Sequence, residues 1–181
     1  MPVRHVVIVG LMGVGKTSVG RRLARRLGWP FIDSDAILAA TTGETARSIA
    51  GTRSIDALHA LEADALLAAL AGASPSVISA AASTIENDAC RAALADGSVL
   101  VAWLRAPARL LADRVTRSTH RPLVEDQSAA SRVEVLERQA RMRDPLFASV
   151  ADVIVDVPSR APSKTAREIE AVVRATAPAH E

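Results

Sequence analysis

Aromatic side chains are scarce in this chain: its 181 residues include two Trp, two Phe and no Tyr. Stacking platforms for nucleic-acid bases are therefore not expected. Cysteine is nearly missing as well, since Cys90 stands alone and excludes an internal disulfide framework. No uninterrupted apolar run reaches the length of a membrane span, and no signal-peptide pattern precedes the first apolar stretch. Charge is almost balanced, with 22 basic against 20 acidic residues, too small an excess to argue for a polyanionic partner. The expectation is a cytoplasmic protein, a monomer that binds neither nucleic acid nor membrane.

Lysine is equally rare. Only Lys16 and Lys164 occur, so 20 of the 22 basic residues are Arg. A chain that uses arginine almost wherever a cation serves has kept one of its two lysines inside a glycine-rich loop. That ammonium reads as a chemical requirement.

What the chain does contain is an alternation of short apolar runs with helical patterns. His5 to Val9, Phe31-Ile32, Ser76 to Ser79, Val99 to Leu104 and Val153 to Val157 read as five strands. Between them, Lys16 to Leu27, Ser34 to Ala40, Ile55 to Leu70, Glu86 to Leu94, Pro107 to Val115 and Arg132 to Leu146 read as helices, and Ser163 to Thr176 closes the chain. Thr116 to Ser128 is polar without apolar periodicity and reads as a mobile loop. Nothing divides residues 1–181 into two domains. The class is α/β, a parallel sheet with helices on both faces, in which ligands bind beyond the carboxyl ends of the strands.

The loop after the first strand, Gly10-Leu-Met-Gly-Val-Gly-Lys16-Thr17, matches G-x-x-x-x-G-K-[ST]. Its strand-before, helix-after context is the one that pattern needs. The backbone of Met12, Gly13, Val14, Gly15, Lys16, Thr17 and Ser18 is expected to cradle phosphates, with the Lys16 ammonium on the terminal ones and the Thr17 hydroxyl on Mg²⁺. Neither an N-K-x-D nor a D-x-x-G element occurs, which excludes the GTPase reading and leaves an ATP-dependent kinase.

A kinase also needs a carboxylate for magnesium and a group that orients the acceptor hydroxyl. Phe31-Ile-Asp33-Ser-Asp35 offers both. In an extended chain these two carboxylates face one side, and they are assigned to Mg²⁺ (Asp33) and to the hydroxyl proton (Asp35). The alternative is that Asp33 or Ser34 merely caps the next helix. Cations for the migrating phosphoryl group come from Arg121, in the polar loop, and Arg143, where a helix is expected to end before Pro145.

Taken together these phrases resemble the shikimate kinases over nearly the full length. The likeness lies in the phosphate loop, Phe-Ile-Asp-x-Asp, Arg121-Pro-Leu, Arg143-x-Pro-Leu-Phe and Ala151-Asp-Val-Ile-Val-Asp156. It implies a P-loop NTPase fold of the nucleoside monophosphate kinase type, with a five-stranded parallel sheet in three α/β/α layers and a lid at about 116–128. It also implies ATP and Mg²⁺ as cofactors and a small hydroxy acid as substrate. By the same resemblance Arg121 contacts ATP phosphates, Arg143 grips the substrate carboxylate, Asp35 binds substrate hydroxyls, and Arg114 and Arg160 flank the adenine.

Two elements depart from the family pattern. His59 stands where the family has a carboxylate-binding arginine, and Ala80, Ala81 and Ala82 stand where it has three glycines against the substrate ring. The family's acidic and aromatic positions near Gly43 to Ala50 are missing too. Three readings follow. The chain is a shikimate kinase; or it is a gluconokinase-like enzyme for another hydroxy acid or polyol, as Ser79-Ala-Ala-Ala-Ser83 suggests; or it binds nucleotide without catalysis.

Overall fold

The structure, a computed structural model, describes residues 2–115, 129–157 and 161–176. Its central strand is β1 (His5–Val9), whose five residues are all buried. β1 pairs in parallel with β3 (Ser76–Ser79) on one side and β4 (Val99–Arg105) on the other. The edges are β2 (Phe31–Asp33) beside β3 and β5 (Val153–Asp156) beside β4, giving the order β2-β3-β1-β4-β5. All five predicted strands are present. Runs such as Val6-Val7-Ile8 and Val99 to Leu104 are apolar at every position because both faces of the sheet are covered.

The chain order reverses at β1, since the helical crossovers carry it to β2 and β3 on one side and later to β4 and β5 on the other. Such a switch point opens a crevice at the carboxyl ends of the strands. α1 (Lys16–Leu27) starts there, directly after β1. It lies close on the sheet because Gly20 has no side chain: a Cβ at that position would lie 2.5 Å from the Phe31 ring. At its other end Arg26 pairs with Glu170 of α8 (Pro162–Thr176), and Arg174 binds the same carboxylate at 2.9 Å.

Three helices follow β2: α2 (Ser34–Thr42), α3 (Ala46–Thr52) and α4 (Ile55–Leu70). They enclose a second small core of Leu38, Ile49 and Leu58. The sequence pattern gives no helix at Ala46–Thr52, and α2 runs two residues further than expected. The predicted helix Glu86 to Leu94 is α5 (Asp88–Leu94), which starts two residues later at its cap Asn87, the acceptor of the Cys90 amide; a 3₁₀ turn at Ala82–Glu86, not expected from the sequence, precedes it. α6 (Ala108–Val115) follows β4.

α7 (Ala129–Val150) passes through Pro145, in line with the helix read over Arg132 to Leu146 and against the stop assigned between Arg143 and Pro145, and it runs four residues further than that reading. Proline removes one amide donor, leaving the Arg141 carbonyl without its helical partner. Pro145 is exposed, so water can serve that carbonyl. Beyond it, Phe147 is buried and stacks on Trp103 at 5.8 Å between ring centroids, which favours a continuous helix. Among the described residues no helix is long and apolar enough to cross a membrane.

Candidate active site

The phosphate loop is held open by its glycines and tied by its lysine. Gly10 has φ +136°, and a Cβ there would lie 2.4 Å from the Leu104 carbonyl oxygen. Gly15 has φ +100°, yet a Cβ there would meet nothing within 4 Å. The first glycine is needed by the fold; the second borders empty space that an anion can enter. Lys16 is 6 % exposed and donates to the carbonyls of Gly10 at 2.8 Å and Leu11 at 3.2 Å. Its ammonium is thus folded over the loop whose amides it would complement.

Thr17, in the first turn of α1, donates its hydroxyl to Asp33 Oδ2 at 3.1 Å. Asp33 Oδ1 accepts the Asp35 amide at 3.3 Å, and Asp33 is the N-cap of α2. Capping and closeness to the loop are therefore properties of one side chain, not alternatives. The picture of two carboxylates on one extended strand needs correction. Asp33 ends β2 and Asp35 belongs to the first turn of α2, because the cap turns the chain between them.

Two cavities flank the loop. One, of about 200 Å³, is lined by Met12, Asp35, His59, Glu62, Ala82 and Arg143 together with apolar residues of α2 to α4. The other, of about 370 Å³, is lined by Gly13 to Gly15, Ser18 and Arg114, with Thr165 of α8 opposite. Thr165 is 1 % exposed, and its hydroxyl has no hydrogen-bond partner. Met12 thus faces one cavity and the next three residues face the other, so the phosphate loop is the partition between them.

In the first cavity Arg143 is 8 % exposed and its Nη2 lies 2.9 Å from a Glu86 carboxylate oxygen, while its Nε is buried without a partner. Glu62, one turn after His59 on α4, accepts a hydrogen bond from the Ser83 hydroxyl. Ala82 lines the cavity, whereas Ala80 and Ala81 are buried beside it, at 1 % and 4 % exposure. Ala81 has φ −63°, and no described non-glycine residue has positive φ, so alanine fits this backbone without strain. Arg121 and Arg160, with the segment 116–128, lie outside the described residues.

Glu62, Ser83 and Gln139 are cavity residues to which sequence reasoning gave no role. The spacing His59-x-x-Glu62 on one helix face, and Gln139 four residues before Arg143 on another, were the available signals. Cys90 stays outside the chemistry: it is fully buried, and burial pushes its thiol up to about 11.

A model of the shikimate kinase family matches residues 12–174. The chain belongs to the shikimate kinase family. Members of this family are ATP-dependent phosphotransferases with an alcohol group as acceptor. The chain is 33% identical to the shikimate kinase of Aromatoleum aromaticum over 169 residues, covering 93% of this chain and 94% of that one. The structure of a shikimate kinase from Acinetobacter baumannii in complex with shikimate superposes with a TM-score of 0.86 at 27% identity, over 96% of this chain and 94% of that one. A gluconokinase from Sinorhizobium meliloti shares the fold with a TM-score of 0.64 at 23% identity, over 98% of this chain and 95% of that one.

Proposed function

We propose that this member of the shikimate kinase family transfers the γ-phosphoryl group of ATP to the 3-hydroxyl of shikimate. The observation that carries this reading is the partition: one loop of anion-binding geometry separates a cavity containing Asp35 and Arg143 from one containing Arg114. Adenine fits the Arg114 side, the triphosphate lies along the loop, and the acceptor takes the Asp35 side.

In that arrangement Lys16 leaves the carbonyls of Gly10 and Leu11 for the terminal phosphate oxygens. Asp35 accepts the proton of the attacking hydroxyl as the new O–P bond forms and the bond to the β-phosphate oxygen breaks, releasing ADP. Arg143 meets the acceptor carboxylate, and the contact with the ATP phosphates is assigned to Arg121 on the family resemblance alone. The oxygens of Thr17 and Asp33, 3.1 Å apart, are hard donors that suit Mg²⁺. Among the described residues no cluster of three or more acidic, His or Cys side chains exists. Mg²⁺ held by Thr17 and Asp33 would neutralise charge on the phosphates during transfer.

The test is purified protein with ATP and Mg²⁺ against shikimate, gluconate and nucleoside monophosphates. Turnover of shikimate above the others is expected. Turnover of gluconate without shikimate, or tight ATP binding with no turnover, overturns the reading.

A further inference from the structure

Gln139 precedes Arg143 by one turn of α7, so both side chains lie on one helix face, and both line the acceptor cavity. The Gln139 Oε1 atom is buried and has no hydrogen-bond partner. The same holds for Arg143 Nε, while Nη2 of that guanidinium is engaged by Glu86. A buried polar atom left unpaired is destabilising, and native proteins rarely keep one without a use. Here one unpaired acceptor and one unpaired donor belong to two side chains that line a single cavity. A molecule that brings a hydroxyl beside a second oxygen satisfies both at once. Two other polar groups of this cavity have other work: Glu62 holds Ser83, and Asp35 serves the reacting hydroxyl.

We propose that Gln139 is a specificity-determining residue of the acceptor site. Its Oε1 accepts a hydrogen bond from a non-reacting hydroxyl of a polyhydroxy acid, while Arg143 Nε donates to another oxygen of the same molecule. The inference rests on the proposed function and adds to it the feature by which hydroxylated acceptors are chosen. A site built around a hydrogen-bonded hydroxyl rejects the analogue that lacks it, because the protein acceptor is then buried unpaired.

The experiment compares wild type with Gln139→Leu, and with Gln139→Met as a second apolar variant of similar volume. The acceptors are shikimate and two monodeoxy analogues, each lacking one non-reacting hydroxyl. For shikimate, kcat/KM is expected to fall about tenfold in both variants, mainly through KM, with KM for ATP unchanged. One deoxy analogue is expected to be about tenfold poorer than shikimate for wild type and no poorer for the variants. Equal kcat/KM in wild type and variants, or an equal loss for all three acceptors, overturns the role of Gln139 and leaves the kinase reading standing. If wild type phosphorylates gluconate instead, the shikimate reading falls, and deoxygluconates decide Gln139 by the same criterion. If no acceptor is phosphorylated by wild type, both fall.

Discussion

The Asp33 carboxylate binds two helices at once: Oδ2 receives the Thr17 hydroxyl at 3.1 Å, and Oδ1 receives the Asp35 amide at 3.3 Å. The first turn of α1, which carries the phosphate loop's hydroxyl, is thereby fixed against the first turn of α2, which carries the acceptor-side acid. Its structural role and its proposed metal-binding role can be separated. Asparagine caps a helix about as well as aspartate, whereas alanine costs about 1 kcal/mol. Asp33→Asn should therefore unfold in urea near the wild-type midpoint, and Asp33→Ala clearly below it. Both should need about ten- to hundredfold more Mg²⁺ for half-maximal activity. Titration of activity with Mg²⁺ beside urea denaturation checks this.

Two loop glycines should fail differently when substituted. An added Cβ at Gly10 meets the Leu104 carbonyl at 2.4 Å, so Gly10→Ala should lower stability by about 2–4 kcal/mol. At Gly15 there is only the left-handed backbone to resist, about 1–2 kcal/mol. Yet Gly15→Ala places a methyl where phosphate must approach, and nucleotide titration should show the larger loss of ATP affinity for this milder folding defect. Wild-type ATP affinity in Gly15→Ala would contradict the cradle.

His5 gives a pH signature. It is 2 % exposed, with Nε2 3.1 Å from the Gly72 carbonyl and Nδ1 2.9 Å from the Ser76 hydroxyl. The carbonyl can only accept, so Nε2 carries the proton of the neutral ring and Ser76 donates to Nδ1. Burial lowers its pKa, helped by Arg4 and opposed by the Gly72 carbonyl. The unfolded chain protonates His5 near its usual value of about 6.5, but the folded chain does so only at lower pH. Its contribution to stability is thus complete above that value and declines as pH falls below it. Urea denaturation at pH 7.5 and 5.5 should show a greater loss in wild type than in His5→Gln. Equal losses would remove His5 as the cause.

His59 lines the acceptor cavity with Glu62 one turn away. Replacing it by arginine supplies a planar fork of donors that an imidazole ring cannot present. His59→Arg should raise kcat/KM for shikimate about tenfold, the value of one charge-assisted hydrogen bond. Steady-state kinetics checks it, and a decrease would show that the acceptor carboxylate does not point this way.

The sequence carried the sheet and the phosphate loop clearly, because buried parallel strands and glycine-lysine loops leave strong local patterns. It carried α3 poorly: Ala-Arg-Ser-Ile-Ala-Gly-Thr is short, contains Gly51, and is held by the Thr45 cap and the small core around Ile49. The helix read over Arg132 to Leu146 already ran through Pro145, but its continuation to Val150 was not legible, because Phe147 and Trp103 hold that last turn from a distance. In the site, Asp33, Asp35 and Arg143 announced themselves by motif. Gln139 did not, because its meaning lies in an unpaired atom that only the folded cavity reveals.

The most direct test of the central claim is the rate of phosphoryl transfer to shikimate by Asp35→Asn, with ATP affinity measured on the same protein. A general base within the acceptor cavity predicts a kcat lower by about 10²–10⁴ with ATP affinity unchanged. A kcat within a few-fold of wild type would contradict it.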